Sequence, residues 1–160
     1  MTGGTAPRGG FLARLPEDGA AALLALGEDV ALTAGTRLFE EGRPADRFWV
    51  LHQGTVTLST RVPGRPEAVV ETVGAGELVG WSWLVPPHLW RLAATAATAV
   101  QAAEFPAAEV RDLCTREPEL GRVLTLRVAE VVGRRLEATR ARLLDLYAPP
   151  PGAAHPGRLP

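Results

Sequence analysis

Residues 34–58 read Ala34-Gly-Thr-Arg-Leu-Phe-Glu-Glu-Gly-Arg-Pro-Ala-Asp-Arg-Phe-Trp-Val-Leu-His-Gln-Gly-Thr-Val-Thr-Leu58. Short apolar runs are cut here by Gly35, Gly42 and Gly54, and glycine turns a chain at positive φ without steric cost. Leu38 belongs to one short strand. Phe48, Val50 and Leu51 begin the most hydrophobic strand, and Gly54 turns it into Thr55-Val-Thr-Leu-Ser59, where apolar and polar residues alternate. A period of two is the mark of a sheet. The polar turn Glu40 to Asp46 lies between, and its carboxylates Glu40, Glu41 and Asp46 read as solvated surface.

The same pattern extends outward. Upstream, Val30 and Leu32 mark a strand, and Pro16 to Leu26 reads as a helix with Glu17 and Asp18 in its first turn, where acids suit the helix dipole. Leu15, Ala22, Leu23 and Leu26 form its apolar stripe, and residues 1–10 read as a flexible lead. Downstream, a hairpin tip at Arg61 to Pro66 precedes the returning strand Ala68 to Val73. Ala93 to Ala97 and Val100 to Phe105 supply the last strands. About eight short strands with glycine turns predict a mainly β fold with flanking helices, a jelly-roll β barrel or sandwich. A helix follows from Pro106 through Cys114, then one long helix from Pro118 to about Tyr147. Residues 148–160 are proline-rich and expected to be disordered or extended.

Composition narrows the function. A chain of 160 residues, 46% hydrophobic and 22% charged with formal net charge −1, suits one domain spanning 11–147 and argues against a nucleic-acid binder built on a broad basic face. Cys114, the single cysteine, excludes an internal disulfide and fits a reducing cytoplasm; beside Val110 and Leu113 it reads as a small buried hydrophobe. No secretory signal is visible, and no run approaches the roughly 18 apolar residues of a membrane span. A soluble, cytoplasmic protein away from membranes is expected. His52, His88 and His155 show no metal-ligand spacing, and no nucleophile stands at motif spacing from a base. No metal, no cofactor and no enzymatic activity are expected.

The segment Gly74 to Ala97 is the candidate site. Gly74, Gly76 and Gly80 give the backbone access to positive φ, and a short apolar turn follows before Pro86 and Pro87 end it. Backbone N–H groups converging at a glycine-rich turn that opens a short helix would make an anion cradle. The candidate pocket is Gly76, Glu77, Leu78, Gly80, Trp81, Ser82, Trp83, Trp90, Arg91, Leu92 and Ala93.

Residues 34–58, this segment and the helices beyond it together resemble the cyclic nucleotide-binding domain family, over roughly Phe11 to Leu146. The resemblance implies a roll with a long C-terminal helix and a cassette Gly-Glu-x-Ala-Leu followed by Arg-x-Ala. In the family, the glutamate accepts from the ribose 2′-hydroxyl and the arginine pairs with the cyclic phosphate. Gly80 and Leu84 match that pattern. Trp81 stands at the glutamate position, Trp83 at the alanine and Trp90 at the arginine, with Arg91 one residue late. Successive strand residues face opposite ways, so either Arg91 points away from the cradle or the Pro86-Pro87-His88 loop absorbs the slip. The three tryptophans either plug the pocket or wall an aromatic site for another ligand, with Arg91 or His88 as its polar contact. Tight cAMP binding in the family's mode is not expected.

On the long helix Leu120, Leu124, Val128, Val132, Leu136, Thr139, Leu143 and Leu146 recur at steps of three and four. Such a seam is buried either against a second copy or on the chain's own roll. The expectation is a parallel homodimer through Leu124, Val128, Val132, Leu136 and Leu143. Regulators resembling catabolite activator proteins carry a winged helix-turn-helix after this helix; the proline tail stands there instead, so DNA binding is not expected. The leading expectation is a regulatory or interaction module working through a protein partner. The alternative is a receptor that binds a cyclic nucleotide or related small ligand through the Gly76 to Gly80 amides and Arg91 and signals through its long C-terminal helix; a transcription regulator ranks below both.

Overall fold

The computed structural model describes residues 10–152. The expectations for residues 1–9 and 153–160 lie outside the described residues, and residues 148–152 are exposed without helix or strand. The order of elements is α1 (Glu17–Leu26), β1 (Glu28–Leu32), β2 (Arg37–Phe39), β3 (Arg47–Gln53), β4 (Val56–Thr60), β5 (Ala68–Val73), β6 (Leu78–Val79), β7 (Ala93–Ala96), β8 (Val100–Pro106), α2 (Ala107–Arg116) and α3 (Pro118–Tyr147).

The strands form two four-stranded antiparallel sheets, β1-β8-β3-β6 and β2-β7-β4-β5. This is the jelly roll expected from the glycine turns. β3 is central in its sheet and α2 packs beside it, so Phe48, Trp49, Val50 and Leu51 are all buried. A continuous apolar run, rather than strict alternation, is what a strand covered on both faces requires. In β4 the alternation breaks at a bulge between Leu58 and Ser59, which buries both. Ser59 donates from Oγ to Glu67 Oε1 at 2.8 Å, so its hydroxyl is satisfied where it is buried.

The helices gather on one flank of the roll. α1 begins after Pro16 with Glu17 and Asp18 in its first turn and turns Gly19 and Leu23 inward. It approaches α3 so closely that a Cβ on Gly19 would meet Leu120 Cβ at 2.8 Å. α3 runs for 30 residues, about 45 Å at 1.5 Å per residue.

The expected seam along α3 divides in two. Leu120, Leu124, Val128 and Val131 are buried on the chain's own roll, and Val132 is half-buried against the same core. Leu136 is 67% exposed and Leu143 is 53% exposed. Leu124, Val128 and Val132 are therefore not part of a free face. The first turns of α3 lie on the roll with Leu126 facing away from it at 53% exposure, and Leu136, Leu143, Leu144 and Leu146 are uncovered further along.

Candidate functional site

The candidate segment runs from the β5–β6 turn through β6 to the start of β7. Gly76 and Gly80 take φ of +83° and +89°, whereas Gly74 does not adopt positive φ. The expected short helix is only a turn at residues 82–84, where the Leu84 amide donates to the Trp81 carbonyl at 3.2 Å. Pro86 and Pro87 have no N–H to return to the carbonyls of Ser82 and Trp83, so the turn does not grow into a helix. Arg111 Nη1 instead donates to the Trp83 carbonyl at 2.6 Å. Among the described residues no helix terminus adds its dipole to this cradle.

The structure divides the predicted pocket residues between separate places. Gly80, Trp81, Ser82, Trp90, Arg91 and Leu92 surround one small cavity, joined by Phe39, Leu58 and Arg135. Gly76 and Glu77 lie apart from it: the Gly76 amide donates to Leu51 O at 2.7 Å, and Glu77 Oε2 accepts from the Gly74 amide at 2.6 Å. Leu78 is buried in β6 and Ala93 is buried at the start of β7. Trp83 is fully buried and stacked on Phe48, with ring centroids 4.1 Å apart and planes 16° apart. Its Nε1 has no hydrogen-bond partner among the described residues.

Trp90 decides the shape of the cavity. Its indole stacks on Phe39 at 3.7 Å with an interplanar angle of 11°, and a Cβ on Gly80 would meet its six-membered ring at 2.5 Å. The ring therefore lies directly on the bare Gly80 backbone. Main-chain bonds pin it there: the Trp90 amide donates to Arg43 O at 2.9 Å, and the Gly42 amide donates to Trp90 O at 2.8 Å. With residue 90 fixed inward, residue 91 turns outward, and Arg91 is exposed at the cavity mouth. His88 lies outside the cavity lining and its carbonyl accepts from the Ala45 amide at 2.7 Å.

The remaining volume is about 40 Å3, little more than the roughly 30 Å3 share of one liquid water and far below the roughly 300–1,000 Å3 of a typical ligand pocket. The cation beside it comes from α3. Arg135 Nε meets Glu71 Oε2 at 2.8 Å and its Nη2 donates to Leu78 O at 3.1 Å. Burial pushes the Arg135 guanidinium below its ordinary value, and Glu71 opposes that shift. Neither Arg135 nor the aromatic contact of Phe39 was among the residues predicted from sequence. The only sequence signal for Arg135 was a basic residue on a helix crowded with them, and its partners are distant in the chain.

The family model for the cyclic nucleotide-binding domain matches residues 29–117, more than half of the chain. The chain belongs to the cyclic nucleotide-binding domain family. Among curated relatives, the CRP-like cAMP-activated global transcriptional regulator of Mycobacterium tuberculosis is 27% identical over 139 residues, covering 87% of this chain and 60% of the regulator. The chain thus spans about three fifths of the length of that relative.

Solved structures of the family agree with the fold. A cyclic nucleotide-binding protein of Geobacter metallireducens superposes with a TM-score of 0.71 at 27% identity, covering 79% of this chain and 91% of that one. The N-terminal domain of a transcriptional regulator from Streptomyces coelicolor gives a TM-score of 0.65 at 30% identity over the same shares. A cyclic nucleotide-binding domain from Methylobacillus flagellatus gives 0.75 at 18% identity, covering 84% of this chain and 76% of that one, a likeness of fold. Family membership and regulatory relatives together support a regulatory binding module. Among the described residues no helix is long and apolar enough to cross a membrane, and no cluster of His, Cys, Asp and Glu could hold a metal.

Proposed function

We propose that this chain is a non-catalytic regulatory or interaction module of the cyclic nucleotide-binding fold whose nucleotide cradle is filled by its own aromatic side chains. The observation that carries this reading is the Trp90 indole lying on Gly80. Where the family holds an arginine, this chain presents a ring. Loss of one partner of a buried charge-assisted pair costs about 2–5 kcal/mol, which is roughly thirtyfold to several thousandfold in affinity. Calorimetric titration with cAMP and cGMP is therefore expected to show no binding at micromolar concentrations. Micromolar or tighter binding of either would overturn the proposal.

The module works as a homodimer through α3 and passes its state to a protein partner. Leu126, Ala129, Gly133, Leu136, Leu143 and Tyr147 are exposed, and with Arg140 they follow alternating steps of three and four. That is a heptad seam, with small residues at Ala129 and Gly133 where two helices could approach closely. A Cβ at Gly133 would meet nothing within 4 Å in the single chain.

A second reading keeps a receptor function, and the placement of Arg91 and Arg135 at the same cavity favours it. Were Trp90 to swing out, both guanidiniums would stand near a ligand phosphate. An Arg91→Ala variant separates the readings: a nucleotide-dependent stabilisation that disappears in the variant supports the receptor.

A further inference from the structure

A cavity much larger than the one beside Trp90 lies outside the roll. A groove of about 650 Å3 lies between the Gly10 to Leu15 turn, α1, the β5–β6 turn and α3, a size within the roughly 300–1,000 Å3 of ligand pockets. Its floor is aliphatic, with Leu12, Leu15, Leu24 and Val131 among the lining residues, and its rim carries Arg14, Arg127, Arg134, Glu77 and Glu130.

The rim charges are not equally engaged. Arg127 pairs with Glu130 at 3.3 Å and donates to the Ala13 carbonyl at 2.6 Å, while Glu77 accepts from the Gly74 amide. The side chains of Arg14 and Arg134 make neither a hydrogen bond nor an ion pair among the described residues. Arg14 also sits at φ +62°, a left-handed conformation uncommon for a residue other than glycine and maintained only where the surroundings enforce it. The Phe11 amide bonded to Gly76 O at 2.9 Å and the Arg127 bond to Ala13 hold the turn on both sides of the groove.

We propose that this groove binds a small amphiphilic anion, an alkyl chain ending in a carboxylate, with Arg14 and Arg134 receiving the charge and the leucine floor receiving the chain. Unpaired guanidiniums beside an aliphatic floor match that combination, because a planar fork suits a carboxylate and the floor removes alkyl surface from water. A nucleotide fits less well, since Phe11, the aromatic residue of the lining, is 5% exposed and offers little ring face to a base. Arg127, Glu130 and Arg134 lie on a flank of α3 about a third of a turn from the heptad seam, at 3.6 residues per turn. Ligand and second copy therefore occupy different sides of the helix, and a bound anion would tie the N-terminal turn to α3. This inference does not rest on the state of the Trp90 cavity.

The test uses the full chain in thermal melting and calorimetric titration. Decanoate below its micellar concentration is the probe, with decanol and inorganic phosphate as its separate halves. Decanoate is expected to raise the melting temperature by selective binding to the folded state, and neither half is expected to do so. In an Arg14→Asn/Arg134→Gln variant, decanoate affinity should fall at least about tenfold. The unliganded melting temperature should stay the same, because asparagine tolerates the left-handed conformation and both positions are exposed. No stabilisation by decanoate, equal stabilisation by decanol, or an undiminished effect in the double variant would each overturn the assignment. So would a gain in decanoate affinity when residues 1–9 are deleted, since the chain's own N terminus would then be the occupant.

Discussion

Gly80 and Trp90 act as one unit. Gly80 supplies a backbone at φ +89° with no side chain, and Trp90 uses the space that a Cβ would take. A Gly80→Ala substitution meets both constraints: strained left-handed backbone at about 1–2 kcal/mol and overpacking against the indole at about 1–3 kcal/mol. Urea denaturation is expected to show a loss of about 2–5 kcal/mol; a loss below about 1 kcal/mol would mean that the ring is not locked on the glycine. The identity of this pair was readable in the sequence, because tryptophan at the arginine position could be counted from the strand that follows. Its orientation was not, because that depends on main-chain bonds from Gly42 and Arg43 across a loop. Arg135 was invisible for the same kind of reason, since its bond to Leu78 spans 57 residues.

Among the elements, the strands were the most legible and α3 was legible only in part. Glycine turns and a period of two located the strands, since each needs only local chemistry. The length of α3 was equally clear from Pro118 to Tyr147. Which of its leucines face inward was not, because leucines at steps of three and four occur on two sides of the helix and only docking chooses between them. Along the inward side, Leu120, Leu124, Val128 and Val131 give way to Arg135 and Arg142 further along the helix. These reach back to Glu71 and to the Val70 carbonyl of β5. Two leucines test the division. Leu124→Ala should cost the fold about 2–5 kcal/mol, as expected for a fully buried leucine, in chemical denaturation. Leu136→Glu should leave the roll's stability within about 0.5 kcal/mol while converting the proposed dimer to a monomer in sedimentation at micromolar concentration. Wild-type protein sedimenting as a monomer would remove the dimer altogether.

For the whole molecule, a polar clasp lies across the sheet β2-β7-β4-β5, in addition to its backbone ladders and the apolar core beneath. Arg37 on β2 donates to Glu40 at 2.9 Å, to Thr95 Oγ1 on β7 at 2.8 Å and to Glu67 at 3.1 Å, next to the Ser59 hydroxyl on β4. The Ser59 hydroxyl first, and the Arg37 guanidinium after it, hold the Glu67 carboxyl below the usual carboxylate range. A carboxyl lowered in the folded state contributes stability above its unfolded value, about 4.3, and that contribution is lost as pH falls through the lowered folded value. Melting temperature measured from neutral pH down to about 3 should therefore fall less steeply in Glu67→Gln than in the wild type. Parallel curves would show that the clasp adds nothing.

All four tryptophans of the chain, Trp49, Trp81, Trp83 and Trp90, fall between residues 49 and 90, and Trp49 and Trp90 lie 6.5 Å apart. Trp81 and Trp90 line the cavity itself, so much of the protein's ultraviolet emission originates at or beside it. Any event that lifts the ring from Gly80 should register as a spectral change without an added label, making this roll its own optical gauge.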